Sequence, residues 1–143
     1  MWEENCRLRT FLKFHLDWSD RKLDSLVHEV ARSVAAEIDC TQCANCCRAM
    51  SLTVGGKELA RLARRLGVSN EECKTRMKQI PCPFLDGNLC TIYEERPKEC
   101  RDFPHLHKSD MRSRSIALVE NAERCPIVFN TLQRLKTRLG WTR

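Results

Sequence analysis

Four thiols fall within eight residues in Cys40-Thr41-Gln42-Cys43-Ala44-Asn45-Cys46-Cys47. A hydrophobic core does not ask for thiols at that density, whereas soft-metal ligation and disulfide formation do. The C-x2-C-x2-C spacing lets one tight loop aim several sulfurs at a common centre. Thiolate-held iron–sulfur clusters use it, and a C-x2-C pair is also the zinc knuckle. Cys82, Cys90, Cys100 and Cys125 follow, each in a turn-like context, and Cys6 and Cys73 bring the total to ten. Cys73 falls on the apolar side of an expected helix and reads as a buried structural thiol. Cys6 has no neighbouring partner. The candidate metal ligands are therefore Cys40, Cys43, Cys46, Cys47, Cys82, Cys90, Cys100 and Cys125.

The spacing also bears on which metal. In bacterial ferredoxin loops C-x2-C-x2-C supplies three ligands and a remote Cys-Pro the fourth; Cys82-Pro83 and Cys125-Pro126 both qualify. Zinc modules usually pair two C-x2-C knuckles, whereas the later cysteines here are separated by 7, 9 and 24 residues. The adjacent Cys46 and Cys47 are expected to diverge, so that they serve different metal atoms or only one ligates. The expected cofactor is an iron–sulfur cluster, of the 4Fe–4S type. The alternative is Zn2+ in two four-thiolate sites, and the third reading is disulfides or unmetallated redox thiols.

No catalytic residue emerges from the other side chains. Radical S-adenosylmethionine chemistry needs C-x3-C-x2-C, which no register provides. His105 and His107, alternating around Leu106, read as surface or supporting positions. Asp86, Glu94 and Glu95 sit at turns, where solvated carboxylates are the default. Arg96 and Arg101 flank the cysteines and can offset thiolate charge, or form structural ion pairs.

Compartment decides between thiols and disulfides. The N-terminal Met1-Trp2-Glu3-Glu4-Asn5 is acidic and lacks a basic stretch followed by an apolar run. No apolar stretch approaches the ~20 residues of a membrane span. A cytoplasmic location is expected, where clustered cysteines usually mean metal or redox chemistry. The net charge is +6, and from Arg101 onward nine Lys/Arg face four Asp/Glu. That excess reads as a solvated basic face, or as a surface for a redox or acidic protein partner. Nucleic acid and membrane are not expected partners.

The elements that must position these thiols are mostly helical. Leu23, Leu26, Val27, Val30 and Val34 recur at helical spacing and predict an amphipathic helix over 17–38, capped by Asp17 or Ser19. Upstream, Phe11, Leu12, Phe14, Leu16 and Trp18 mix two periods, so a strand or an earlier helix fits. Leu59, Leu62, Ala63 and Leu66 predict a helix stopped by Gly67. Ser69 with Glu72 forms a capping box for a helix over about 70–79, with Cys73, Met77 and Ile80 on its apolar side. This pair resembles the first part of a DNA-binding helix-turn-helix, but Glu71 and Glu72 stand where phosphates would approach, so a structural hairpin is expected. Asp86-Gly87 between apolar residues predicts a β-hairpin that brings Cys82 near Cys90. Pro97 suits the start of a short helix presenting Cys100. Ser115–Val119 reads as a strand, and Cys125-Pro126 opens a C-terminal helix whose Val128, Leu132, Leu135 and Leu139 face inward.

Several of these pieces recur together in one known pattern. Cys40-x2-Cys43-x2-Cys46-Cys47, Cys82-Pro83-Phe84-Leu85, Cys90-Thr91-Ile92-Tyr93, Arg96-Pro97, Cys100-Arg101-x-Phe103-Pro104 and Cys125 occur in order over residues 40–126. In this the chain resembles the YkgJ-type CxxCxxCC cysteine-cluster family, described as a zinc- or iron-chelating domain. The resemblance implies metal binding and leaves the metal open. One departure is Ala44, where family members usually carry Gly. Flagellin lysine methylases have a similar cysteine pattern, so a lysine methylase-like enzyme is a further reading by analogy alone. No glycine-rich loop for S-adenosylmethionine accompanies it here, since Gly55-Gly56 is an isolated pair.

The expected fold is mainly α with a small β-hairpin, a small single domain stapled by metal. Residues 1–39 form an N-terminal helical segment, 40–126 the cysteine-cluster region, and 127–143 a basic C-terminal helix of the same domain. The expected function is metal binding through an iron–sulfur cluster with a redox or electron-transfer role. A structural zinc protein mediating protein interaction is the alternative. Whether the chain is itself an oxidoreductase or an accessory protein stays open at this level.

Overall fold

The computed structural model describes residues 1–142. In chain order it forms α1 (Trp2–Phe14), α2 (Asp20–Glu37), α3 (Cys40–Cys43), α4 (Asn45–Ala49), α5 (Gly56–Leu66) and α6 (Asn70–Met77). A hairpin of β1 (Leu85–Asp86) and β2 (Leu89–Cys90) follows, then a 3-10 turn at Tyr93–Glu95. The chain closes with α7 (Lys98–Asp102), α8 (Ser115–Ala122) and α9 (Pro126–Arg138). The protein is mainly α-helical with one small hairpin, as its periodicities imply. It divides into two compact units: Cys40–Asp102, and Met1–Asp39 together with Phe103–Arg143.

The helical unit is built on a single apolar core. In α2, Leu23, Leu26, Val27, Val30 and Val34 are all buried, and the Ser19 hydroxyl accepts from the Lys22 N–H at 3.2 Å as the N-cap. α2 packs along α9, α9 on α8, and α8 on α1. The ambiguous run before Trp18 resolves as the helix α1, which buries Leu8 and Leu12 and leaves Phe14 in solvent. Arg112 ties the turn after α1: it pairs with Asp20 at 2.7 Å and donates to the carbonyls of Leu12 and Trp18. Asp24 receives the backbone N–H groups of Asp110 and Met111, both at 2.9 Å.

The strand expected at Ser115–Val119 is instead the start of α8. Ser115, Leu118, Val119 and Ala122 are the buried positions, a helical i, i+3, i+4, i+7 stripe that becomes visible only when the window extends past Val119. Pro126 takes the first position of α9 behind Cys125. Val128, Leu132 and Leu135 are buried, with Leu139 partly so. The cations of α9 meet carboxylates from the same unit: Arg134 with Glu37 at 2.6 Å, Arg138 with Glu29 at 2.9 Å, and Lys136 with Glu4 at 3.1 Å.

The cysteine-bearing unit has a smaller core of Val54, Leu62, Ala63, Cys73, Met77, Phe84 and Ile92. α5 and α6 pack as a helical hairpin. Gly67 ends α5 at φ +67°, its N–H reaching Ala63 and Arg64, and Ser69 caps α6 by accepting from the Glu72 N–H at 3.1 Å. α6 stops at Met77, so Ile80 lies beyond it and is exposed instead of completing its apolar side. The β pairing is Leu85 with Cys90 and Asp86 with Leu89. The two-residue loop is thus Gly87-Asn88, one position later than expected, with Gly87 at φ +61°. Thr91 closes the ribbon from its far end by donating its N–H to Phe84 at 2.8 Å and its hydroxyl at 2.9 Å.

Candidate metal centre

Seven of the eight candidate thiols lie in the Cys40–Asp102 unit, on short elements whose backbone is fixed by a few hydrogen bonds. Cys40 and Cys43 bound the single turn α3, and Cys46 and Cys47 sit on α4. The link between the two turns is Ala44 at φ +53°, ψ +13°, buried to 5% exposure. This left-handed conformation explains a preference for glycine at that position, because an L-residue crowds its own carbonyl there. Arg48 closes α4 back on α3 by donating to the Cys43 carbonyl at 2.9 Å.

The later thiols are brought to this run by main-chain pairing. The Cys82 N–H donates to the Cys47 carbonyl at 2.8 Å. Cys90 lies on β2 opposite Leu85, which in turn donates to the Cys82 carbonyl at 3.0 Å. α3 packs against β2, and the Asn88 amide reaches the Gln42 carbonyl at 3.3 Å. Cys100 stands on the first turn of α7, its N–H bound to Pro97 at 3.0 Å. The turn is held from α5, where the Glu58 carboxylate accepts from the Lys98 N–H at 2.9 Å.

Five thiols form one electrostatic group: Cys46, Cys47, Cys82, Cys90 and Cys100. The neighbouring Cys47 thiol and nearby backbone N–H groups favour the Cys46 thiolate, and Cys46 is lowered to about 6. Cys47 is raised by its Cys46 neighbour, by desolvation and by the other sulfurs around it. Burial raises Cys82, although the N–H groups of Phe84 and Leu85 point at its sulfur and favour the thiolate. Burial, followed by the neighbouring sulfurs of Cys82, Cys90 and Cys46, pushes Cys100 up to about 11. Cys46 and Cys47 are successive residues of α4.

The remaining cysteines are placed differently. Cys40 is exposed and Cys43 half-buried on α3. Cys125 belongs to the helical unit, where it caps α9 and is buried among that unit's core residues. Cys73 is fully buried in the small core, and burial pushes its thiol up. Cys6 is half-buried on α1, and all ten cysteines are free thiols. His105 is half-buried and His107 exposed, both in the helical unit.

Among the described residues no group of three or more His, Cys, Asp or Glu side chains stands arranged around a metal ion's position. The five thiols are therefore a gathered donor set, not a closed cage. Their chemistry fits a thiophilic metal, because they combine soft ligands, partial burial and backbone N–H groups aimed at sulfur. No helix of the described residues is long and apolar enough to cross a membrane.

Two features of the site are visible only in the fold. Tyr93 stacks under Arg96 with the guanidinium carbon 3.8 Å from the ring centroid, and the only hint in the sequence is a tyrosine three positions before an arginine. Ala44 draws notice from the family pattern, but its left-handed backbone is a fact of the fold.

Comparison with known proteins matches residues 39–127, well over half of the chain, to a family model described as "CxxCxxCC: Putative zinc- or iron-chelating domain". No curated protein and no solved structure matches. The matched span covers all eight candidate ligands. On that match, and on the cysteine pattern that carries it, the chain belongs to the CxxCxxCC family of zinc- or iron-chelating domains.

Proposed function

We propose that this protein holds an iron–sulfur cluster of the 4Fe–4S type through its clustered cysteine thiolates and serves a redox or electron-transfer step. The observation that carries this reading is the Cys40-x2-Cys43-x2-Cys46 run, the spacing with which ferredoxin-type loops supply three cluster ligands. The Cys82 N–H donates to the Cys47 carbonyl at 2.8 Å, which brings the Cys82-Pro83 donor to the end of that run. Cys40, Cys43, Cys46, Cys47, Cys82, Cys90 and Cys100 are the proposed pool of ligands, with Cys82-Pro83 as the Cys-Pro donor of the same unit. A bound cluster supplies one-electron transfer. The chain's own residues position the sulfurs, screen them partly from water and direct the N–H groups of Phe84 and Leu85 at Cys82. Hydrogen bonds of that kind stabilise thiolate charge and set reduction potential.

Zinc is the second reading, and the family description names both metals. In that case the thiolates divide between two structural sites and the centre has no redox role. With either centre the proposed location is a reducing compartment, the cytoplasm, where thiols persist. A redox protein or an acidic protein surface is the expected partner. The visible spectrum of protein purified without oxygen separates the two readings. A brown chain whose absorption bleaches on reduction supports the cluster, and a colourless chain carrying zinc refutes it.

A further inference from the structure

We infer that the outer face of α5 is the docking surface for an acidic protein segment, whose carboxylates meet Lys57, Arg61 and Arg64. The inference deepens the partner reading above, and rests on it only for the partner's being a redox protein.

The sequence puts much of the positive excess after Arg101, but the fold uses that charge internally. All three cations of α9 are paired, Arg134 with Glu37, Lys136 with Glu4 and Arg138 with Glu29. Arg112 is spent on Asp20, and Arg114 on the carbonyls of His105 and Ser109. In the cysteine unit the position is reversed. α5 carries four cations and one carboxylate. That carboxylate, Glu58, accepts the Lys98 N–H at 2.9 Å, and Arg65 pairs with Glu95 at 3.8 Å. Lys57, Arg61 and Arg64 make no ion pair and no side-chain hydrogen bond among the described residues.

The three recur at i, i+4 and i+7, one helical face, opposite the buried Leu62 and Ala63. Lys57 and Arg64 are exposed and Arg61 is half-buried. Within the fold this arrangement only costs. Like charges one turn apart repel, and Lys57 stands in the first turn, at the positive end of the helix dipole. Carboxylates spread over about 10 Å of a partner, the rise of seven helical residues, relieve both. The face also adjoins the cysteine centre, because the Glu58 and Arg65 contacts hold α5 against the 95–98 turn that presents Cys100. A phosphate backbone laid along α5 runs on to Glu71 and Glu72, both exposed at the start of α6. A protein's carboxylates can end where the cations end.

The test uses the full chain, reduced and free of oxygen, with a fluorescent oligoglutamate as the probe and anisotropy as the readout. Lys57→Gln/Arg61→Gln/Arg64→Gln is expected to weaken binding about 10-fold or more and to flatten its salt dependence. Two controls stay within about twofold of wild type. One is Arg21→Gln/Arg32→Gln/Arg124→Gln, which removes three exposed cations of the helical unit; the other, Lys57→Arg/Arg61→Lys/Arg64→Lys, keeps the charge. Equal losses in the two Gln triples overturn the inference, because binding then follows net charge alone. So does binding of duplex DNA or phosphatidylserine vesicles through α5 at about 0.15 M salt when oligoglutamate does not bind. Metal content is measured on the same samples. A wild type that carries no cluster yet binds through α5 upholds the surface and refutes the redox reading.

Discussion

The Cys82 N–H donates to the Cys47 carbonyl at 2.8 Å, joining the end of the first cysteine run to the start of the second. This main-chain bond aligns α4 with the Cys82-Pro83-Phe84-Leu85 turn, so Cys46, Cys47, Cys82 and Cys90 become neighbours without any direct bond between the two runs' side chains. Changes to the sulfurs should therefore remove ligands without undoing the scaffold. Cys82→Ser and Cys47→Ser are expected to lose at least half of the bound metal while the metal-free chain keeps its circular dichroism. Cys73→Ser is the contrast: it places a hydroxyl in a fully buried core site, costs about 1–3 kcal/mol in urea unfolding, and keeps its metal. Equal metal loss in all three variants would contradict this division.

Ala44 sits in the left-handed region at φ +53°, where an L-residue costs about 1–2 kcal/mol. Glycine removes that cost but gives back about 0.5–1 kcal/mol through its freer unfolded chain. Ala44→Gly is therefore expected to stabilise the metal-free chain by up to about 1 kcal/mol, and Ala44→Val to destabilise it. Urea melts of the two variants check the order, and a destabilised Ala44→Gly would contradict it.

Metal uptake should be coupled to proton release. Burial holds Cys100 up to about 11 and raises Cys82, its Cys46 neighbour and then burial raise Cys47, and Cys46 is lowered to about 6. At pH 7 the raised thiols are protonated and must lose their protons to ligate, while Cys46 is already largely ionised. Raised groups titrate to the binding-competent form as pH climbs, so apparent affinity rises with pH, and about three protons leave per centre. Calorimetry of Zn2+ binding in buffers of different ionisation enthalpy counts them. No proton release would refute the assignment.

The stretch 78–102 has little regular structure: two strands of two residues, a 3-10 turn and the five-residue α7. Few ladder bonds and a small core leave metal as its main source of order. Chelation is expected to raise amide exchange across 78–102 by tenfold or more. The helical unit's α2 and α9, with their own buried core, keep their protection. Exchange measured by mass spectrometry with and without chelator checks this, and uniform loss of protection would argue against it.

Much of this was legible where the signal is local. The Ser19 and Ser69 caps, the Gly67 stop and the α2 stripe each depend on residues within a turn or two, and each stands where the pattern puts it. α8 was misread because Ser115–Val119 is too short to separate period 2 from period 3.6, and only Ala122 completes the helical face. Thiol identity marked the site, but which thiols gather depends on the hairpin register and on Cys82 meeting Cys47, neither of which spacing encodes.

The central claim is a polynuclear iron–sulfur centre, and the most direct measurement is iron, acid-labile sulfide and zinc content per chain after purification without oxygen. The account predicts about four iron and four sulfide. One or two zinc per chain with no sulfide would contradict it and make the cysteine unit a structural zinc fold.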